Sequence, residues 1–318
     1  MKAFKVDRLM SGEHVVKACT MAFPSLSKAD LYKALKHKDI RIDGKKVSSD
    51  IKVTEDQEIQ VWLPDSLFDA PSRQVSKDPR KDYSIVAQTD GMLIVNKRQG
   101  LAVHSGKTTS TNLIDIVRET TGNRNAELVH RIDMNTGGIL MIAKNKDYLE
   151  DAVKLFKDNL VTKRYRALVV GKIPADLGEP VVARDEKLMS EVSAYLEKTS
   201  SGQVYIHDVK QEGDLPITTR YRVLGYRNGL SEIECELVTG RTHQIRAQFA
   251  HMGYPILGDG NYGRNQVNLA FENSGGGKIR YQQLWSTTLM FSRIPGDNKH
   301  SDLSGRTFSI EPRYEVDF

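Results

Sequence analysis

Residues 129–144 read Val-His-Arg-Ile-Asp-Met-Asn-Thr-Gly-Gly-Ile-Leu-Met-Ile-Ala-Lys, and the architecture of the chain turns on them. A basic pair, His130 and Arg131, and one carboxylate, Asp133, lie between apolar Leu128-Val129 and apolar Ile139-Leu140-Met141-Ile142. Thr136-Gly137-Gly138 supplies a sharp turn, because glycine accepts backbone angles that a Cβ resists. The reading is strand, polar loop, strand, with Asp133 held where two strands leave a sheet. A charged loop pinned by rigid strands is a common way to build a catalytic site. On the pattern alone, an ordinary polar turn with a solvated Asp fits equally well.

Outward from this run, two more stretches carry chemistry. Gly240-Arg241-Thr242-His243-Gln244-Ile245-Arg246 follows an alternating strand in which Ile233, Cys235 and Leu237 share one face. From Thr242 the period changes: Ile245, Phe249 and Met252 fall at helical spacing, and Gly253 can end the helix. His243 and Arg246 then share a face beside the helix start. Lys163-Arg164-Tyr165-Arg166-Ala167-Leu168-Val169-Val170 is a strand entered through a basic cluster. Upstream, Ile85-Val86 and Met92–Val95 read as two strands around a turn at Asp90-Gly91.

The first 63 residues form a separate basic unit. They carry twelve Lys+Arg against nine Asp+Glu, leaving 34 against 32 for the rest of a 318-residue chain with net charge +5. Ser27 fits a helix N-cap with Asp30 three residues on, and Leu31, Ala34 and Leu35 repeat at helical spacing among Lys28, Lys33, Lys36 and Lys38. Ile40-Arg41-Ile42, the turn at Asp43-Gly44 and Lys45-Lys46-Val47 read as a hairpin, and Ile59, Val61 and Leu63 as a closing strand. Residues 64–82, with Pro64, Pro71 and Pro79 among polar residues, read as a linker without lasting helix or strand.

Several classes are disfavoured. Cys19 and Cys235 stand far apart, so neither a disulfide framework nor a cysteine zinc site is indicated, and the eight histidines show no ligand spacing. The N-terminus has no signal-type apolar run and no stretch is long enough to span a bilayer, so the expectation is a soluble, cytoplasmic protein. Gly100 to Thr108 ends in Ser-Gly-Lys-Thr but has the wrong glycine spacing for a phosphate loop. Gly258-Asp259-Gly260-Asn261-Tyr262-Gly263 spells G-x-G-x-x-G but lacks a clear following helix and a downstream acid, so both read as loops, and Ser274-Gly275-Gly276-Gly277 as a surface loop.

The run around Asp133 resembles the central motif H-R-L-D-x-x-T-S-G of the RluA-type RNA pseudouridine synthases. Ile132 stands for the usual Leu and Gly137 for the usual Ser, both mild changes. Lys163-Arg164-Tyr165-Arg166-Ala167 matches the family's K-x-Y-x-A, and residues 240–246 its third motif. Leu284 fits the family's apolar residue near the catalytic Asp. Trp285-Ser286 departs from the usual His-Ala, and Lys97-Arg98 from the usual Lys-Pro. The N-terminal order of basic helix, hairpin and closing strand resembles the alpha-L RNA-binding motif.

What the resemblance implies is specific. The fold is α+β: an alpha-L domain over residues 1–63, a linker over 64–82, and a catalytic domain over 83–318 with a mixed, largely antiparallel sheet flanked by helices. Asp133 is the catalytic carboxylate, Arg246 its ion partner, and Tyr165 the ring that stacks on the reacting base. Arg131 fills the space a flipped base leaves, Leu284 lines the pocket, and His130 and Arg241 contact substrate. Lys28, Lys33, Lys36 and Arg41 contact phosphates. The substrate is RNA, most readily large-subunit ribosomal RNA; no metal, nucleotide or other cofactor is needed, and a monomer is expected. Two rivals stay open: a non-catalytic RNA-binding or ribosome assembly factor, for which Asp133 is dispensable, and a phosphate-loop hydrolase, which depends on Lys107.

Overall fold

The computed structural model describes residues 1–7, 10–23, 26, 28–68, 81–104, 111–199, 203–263, 265–273 and 278–318. The Ser27 cap, the Lys28 side chain, the linker's Pro71 and Pro79, Lys107 and the 274–277 glycine patch lie outside the described residues. The chain divides into two compact units, residues 1–79 with 104–112 and residues 80–103 with 113–318.

In the first unit, β1 (Lys2–Lys5), β4 (Glu58–Val61), β2 (Ile40–Ile42) and β3 (Lys45–Val47) form an antiparallel sheet in the order β1-β4-β2-β3. The β2–β3 hairpin closes through Asp43 and Gly44 at φ 50° and 77°, angles that favour this Asp-Gly pair. Helices α1 (Val15–Ala22) and α2 (Lys28–His37) bury Val15, Val16, Leu31, Ala34 and Leu35 against Ile40, Ile42, Ile59 and Val61. The helix-free reading of 64–82 fails at its start. Asp65–Phe68 is a short helix, α3, because Phe68 is buried in this core, edge-on to Phe23 at 5.1 Å.

The second unit is built on one large sheet. Its strands are β5 (Tyr83–Gln88), β6 (Met92–Lys97), β7 (Glu127–Leu128), β8 (Gly137–Ala143), β9 (Val161–Val170), β10 (Glu179–Val182), β11 (Leu188–Lys198), β12 (Val204–His207), β13 (Leu215–Arg227), β14 (Leu230–Leu237), β15 (Leu284–Phe291) and β16 (Thr307–Ser309). The order is β10-β11-β13-β14-β9-β15-β8-β6-β5, with β12, β16 and β7 paired to β11, β15 and β8. Among the described residues, β8 and β15 run parallel and the other pairs are antiparallel. Helices α4 (Leu113–Thr121), α5 (Lys146–Lys157), α6 (Gln244–His251) and α7 (Asn265–Phe271) complete the unit. The fold is α+β with a mixed, largely antiparallel sheet.

Local chemistry explains the key elements. Strand β8 is buried at every residue, which its unbroken apolar run Ile139–Ala143 dictates. Helix α5 is capped by Asn145, whose side chain accepts from the Tyr148 N–H, and it buries Ala152 and Leu155 against Ile139, Met141 and Leu289. In β9 the period of two separates two functions. Lys163 and Tyr165 line a pocket, while Arg164 bonds Asp185 and Glu236, and Arg166 bonds Glu232. Helix α7 follows Gly263 after one intervening residue, so the helix thought absent after the 258–263 string is present, as a piece of seven residues.

Candidate active site

The strand–loop–strand reading around Asp133 holds, with the loop running between β7 and β8. Thr136 N–H donates to the Asp133 carbonyl at 3.1 Å, which folds residues 133–136 into a turn. The turn's other polar groups are met by buried side chains. Lys97 Nζ donates to Met134 O at 3.0 Å, Gln99 Nε2 to Asn135 O at 3.1 Å, and Gln282 Nε2 to Thr136 Oγ1 at 2.7 Å. Lys97 is 0% exposed and also donates to Arg98 O at 2.9 Å and Leu101 O at 2.8 Å. Arg98, where proline is usual, gives what proline cannot: its N–H bonds Asp82 O, and its Nε bonds the Asp82 carboxylate at 2.8 Å.

The two glycines of the turn do different work. Gly138 has φ 113°, and a Cβ there would stand 2.1 Å from the Ser286 carbonyl oxygen on the parallel neighbour β15. A Cβ on Gly137 would stand 2.6 Å from the Trp285 ring. Two departures from the family pattern, Gly137 for Ser and Trp285 for His, are therefore one packing event: the indole fills the space that a serine side chain would need.

Arg246, 113 residues from Asp133 in the chain, reaches it from helix α6. Its Nη1 donates to Asp133 Oδ2 at 2.8 Å. Its Nε and Nη2 donate to the two oxygens of Asp259 at 2.7 and 3.0 Å. Asp259 is fully buried and also accepts from the N–H groups of Asn261 and Tyr262. Burial opposes the Arg246 charge, but the hydrogen bonds to Asp259 and Asp133 outweigh it and hold the guanidinium above its ordinary range. Burial likewise opposes ionisation of Asp259, and the Arg246 hydrogen bond overcomes it, so this carboxyl sits below its ordinary value. The start of α6 is fixed by Gln244, which accepts from Arg241 N–H and donates to Thr218 O and Thr219 Oγ1.

A cavity of about 130 Å³ opens beside this ion pair, lined by Asp133, Arg131, Lys163, Tyr165, Arg241, His243, Arg246 and Leu284. Tyr165 is buried on β9 opposite Ser286, with burial pushing its phenol above the ordinary range and Asp133 adding to the shift. Arg131 and Arg241 are exposed at the pocket wall. The structure thus brings together six of the residues read from sequence: Asp133, Arg246, Tyr165, Arg131, Leu284 and Arg241.

His130 is placed otherwise. Its Nε2 accepts from Met141 N–H at 3.1 Å, its ring lies 4.8 Å from Phe156, and it does not line the pocket. Burial pushes its imidazole down to about 3, so it is neutral. Lys33, Lys36 and Arg41 lie in the first unit; the two lysines are exposed, and the Arg41 guanidinium sits 5.0 Å from the Trp62 ring. Sequence reasoning passed over Asp259, Lys97, Gln99 and Lys163. Asp259 had a signal: it is the only charged residue between Met252 and Gly263. Lys163 lines the pocket with its ammonium 5.6 Å from the Phe156 ring, and burial lowers its pKa.

The chain matches known proteins over this region. The RNA pseudouridylate synthase family profile covers residues 91–251. The chain is 31% identical to ribosomal large subunit pseudouridine synthase C of Vibrio cholerae, over 81% of this chain and 79% of that one. Identity to the protein of the same name from Rickettsia conorii is 34%, over 77% and 80%. Among solved structures, human RNA pseudouridylate synthase domain containing 1 matches with a TM-score of 0.53 and 25% identity, over 68% of this chain and 80% of that one.

Proposed function

The chain belongs to the RNA pseudouridylate synthase family and is an RNA pseudouridine synthase, and from that premise we propose that it isomerises uridine in large-subunit ribosomal RNA with Asp133 as the catalytic carboxylate. The observation that carries the assignment of Asp133 is its 2.8 Å bond to Arg246 at the wall of the pocket that Tyr165 and Leu284 also line. The guanidinium fixes the direction in which the carboxylate faces the pocket.

The isomerisation breaks the bond between ribose and uracil N1, turns the base, and joins ribose to uracil C5. One proton leaves C5 and one arrives at N1, so nothing is oxidised and no group is brought in. Asp133 acts as nucleophile or as stabiliser of the departing sugar. Arg246 orients it, and is itself oriented by Asp259. A paired base must leave its stack to enter, at a cost of a few kcal/mol. Arg131, exposed at the pocket wall, takes the vacated space, and Tyr165 holds the uracil by stacking. Arg241 and Lys163 add positive charge for the flanking phosphates.

Lys28, Lys33, Lys36 and Arg41 of the basic N-terminal unit contribute sequence-independent phosphate contacts to the same RNA. The reading takes the chain to work as a monomer, without cofactor, in the cytoplasm. Among the described residues, no helix is long and apolar enough to cross a membrane.

Carbodiimide mapping of pseudouridine in total RNA tests the proposal, using cells lacking the gene and complemented with wild type or Asp133→Asn. A large-subunit site lost on deletion and restored only by wild type is expected. Restoration by Asp133→Asn would remove Asp133 from the chemistry. A changed site confined to another RNA would move the substrate assignment there.

A further inference from the structure

His243 faces the same carboxylate oxygen as Arg246, yet the chemistry above gives it no task. Its backbone is left-handed, at φ 55° and ψ 17°, and its side chain makes no capping bond to the helix it precedes. A residue with a Cβ holds that conformation under strain, and such residues cluster at functional sites. Here the conformation sets the ring between Tyr262 and the pocket.

Tyr262 bears on the tautomer. Its hydroxyl accepts from Val204 N–H at 3.3 Å and lies 2.8 Å from His243 Nδ1, so it can give its own proton to that nitrogen. With Nδ1 accepting, the neutral ring carries its proton on Nε2. Burial, partly opposed by Asp133, keeps the imidazole below its ordinary pKa and so neutral at pH 7. The Nε2 lies 3.8 Å from Asp133 Oδ2, too far for a direct hydrogen bond.

The pocket therefore presents a donor-only N–H and an acceptor-only carboxylate with a gap between them. A group that closes the gap must accept from one and donate to the other. A uracil carbonyl only accepts, and a uracil N–H only donates. A hydroxyl does both, and within an RNA strand the 3′ and 5′ oxygens are esterified, so the 2′-hydroxyl is the one available. We propose that His243 Nε2–H donates to the 2′-hydroxyl of the target uridine, which in turn donates to Asp133, making His243 the residue that tells ribose from deoxyribose. This assignment rests on the reading of Asp133 as the catalytic carboxylate.

The test uses a synthetic RNA spanning the uridine identified by carbodiimide mapping, with ribose or 2′-deoxyribose at that one nucleotide. Single-turnover rates are measured for the full chain as wild type, His243→Asn, His243→Gln and Tyr262→Phe. The missing oxygen also changes the intrinsic lability of the glycosidic bond, but that effect is common to all four proteins and cancels in the ratio of penalties. The deoxy penalty in wild type should exceed that in His243→Asn by about three- to tenfold, the worth of one hydrogen bond. Asparagine tolerates the left-handed backbone but is too short to reach. His243→Gln, whose amide can donate, should recover part of the discrimination. Tyr262→Phe, which keeps the ring but frees the tautomer, should lose part of it, and it also decides the matter if His243→Asn melts early. Equal penalties in all four proteins would overturn the assignment. Failure of wild type on the ribose substrate would instead overturn the proposed function and this assignment with it.

Discussion

Lys97→Met is the substitution that most directly separates positioning from stability. The ammonium of Lys97 is fully buried and donates to three carbonyl oxygens, those of Arg98, Leu101 and Met134. Burial lowers its pKa to about 7, with neighbouring Arg98 adding to the fall and Asp133 opposing it. Relative to its ordinary 10.5, that shift corresponds to about 5 kcal/mol against the buried ion. Methionine removes that cost but leaves three carbonyls short of a donor, at about 1–3 kcal/mol each. The two effects are of the same size and opposite sign. The net should therefore lie between about 2 kcal/mol gained and about 4 lost, or at most about 8–16 °C in melting temperature for a unit of this size. Catalysis has no such compensation. The turn that carries Asp133 loses the bond to Met134 O, and a displacement of about 1 Å can cost about a hundredfold in rate. The expected result is kcat down ten- to a hundredfold, with RNA affinity within about threefold of wild type. A pH series adds a second reading. The unfolded chain binds more protons than the folded one between about 7 and 10.5, so the ion's cost is full below about 7 and is relieved as pH rises through that window. Wild type should gain stability over that window relative to Lys97→Met. Above about 7 the neutral amine has two N–H groups for three carbonyls, so kcat should fall with rising pH in wild type only. An unchanged kcat in Lys97→Met at unchanged melting temperature would refute the reasoning.

Four further outcomes are expected. Asp259→Ala strips Arg246 of a two-pronged buried partner and should cost about 3–5 kcal/mol in chemical denaturation and most of kcat; Arg246→Ala should lose kcat while RNA binding, followed by filter retention, is largely kept. Gly137→Ser should destabilise by about 1–3 kcal/mol because its Cβ meets the Trp285 ring, and adding Trp285→His should recover most of that in a thermal melt; an additive double variant would deny the coupling. The folded pKa of His130, about 3, lies below its unfolded 6.5, so the stability it contributes is present above 6.5 and is lost as pH falls toward 3. His130→Gln, which can still accept from Met141 N–H, should flatten that acid-side slope in urea titrations, and an unaltered slope would place the titration elsewhere.

The sequence was most legible where one short run determines its own shape. The apolar stretch Ile139–Ala143 dictates a buried strand, the Asp43-Gly44 pair a hairpin, and the change of period at Thr242 the start of α6 within two residues. The resemblance then linked Asp133 to Arg246, which no local pattern could do. Strands β10 to β13 are not legible locally because distant partners specify them: Glu191 on β11 pairs with Arg220 on β13, and neither charge announces a strand alone. His130 misled for a related reason. Adjacency to Arg131 and Asp133 suggests a shared task, but the loop turns between them, and the imidazole serves the N–H of Met141 while its neighbours line the pocket.

Asp259 is the sharper case. Its string of glycines invites a nucleotide-binding reading, and without that reading the stretch is a bare loop. A lone carboxylate in an otherwise uncharged, apolar and glycine-rich stretch is costly to bury unless a cation meets it. Such a residue thus asks for a partner somewhere in the chain, and Arg246, on a helix face with Ile245 and Phe249 on either side, asks for one too. Each shows an unmet electrostatic need in sequence. Strand pairing and helix placement decide which needs are met by each other, and here one guanidinium meets two carboxylates: Asp259 to hold it in place, and Asp133 for it to hold.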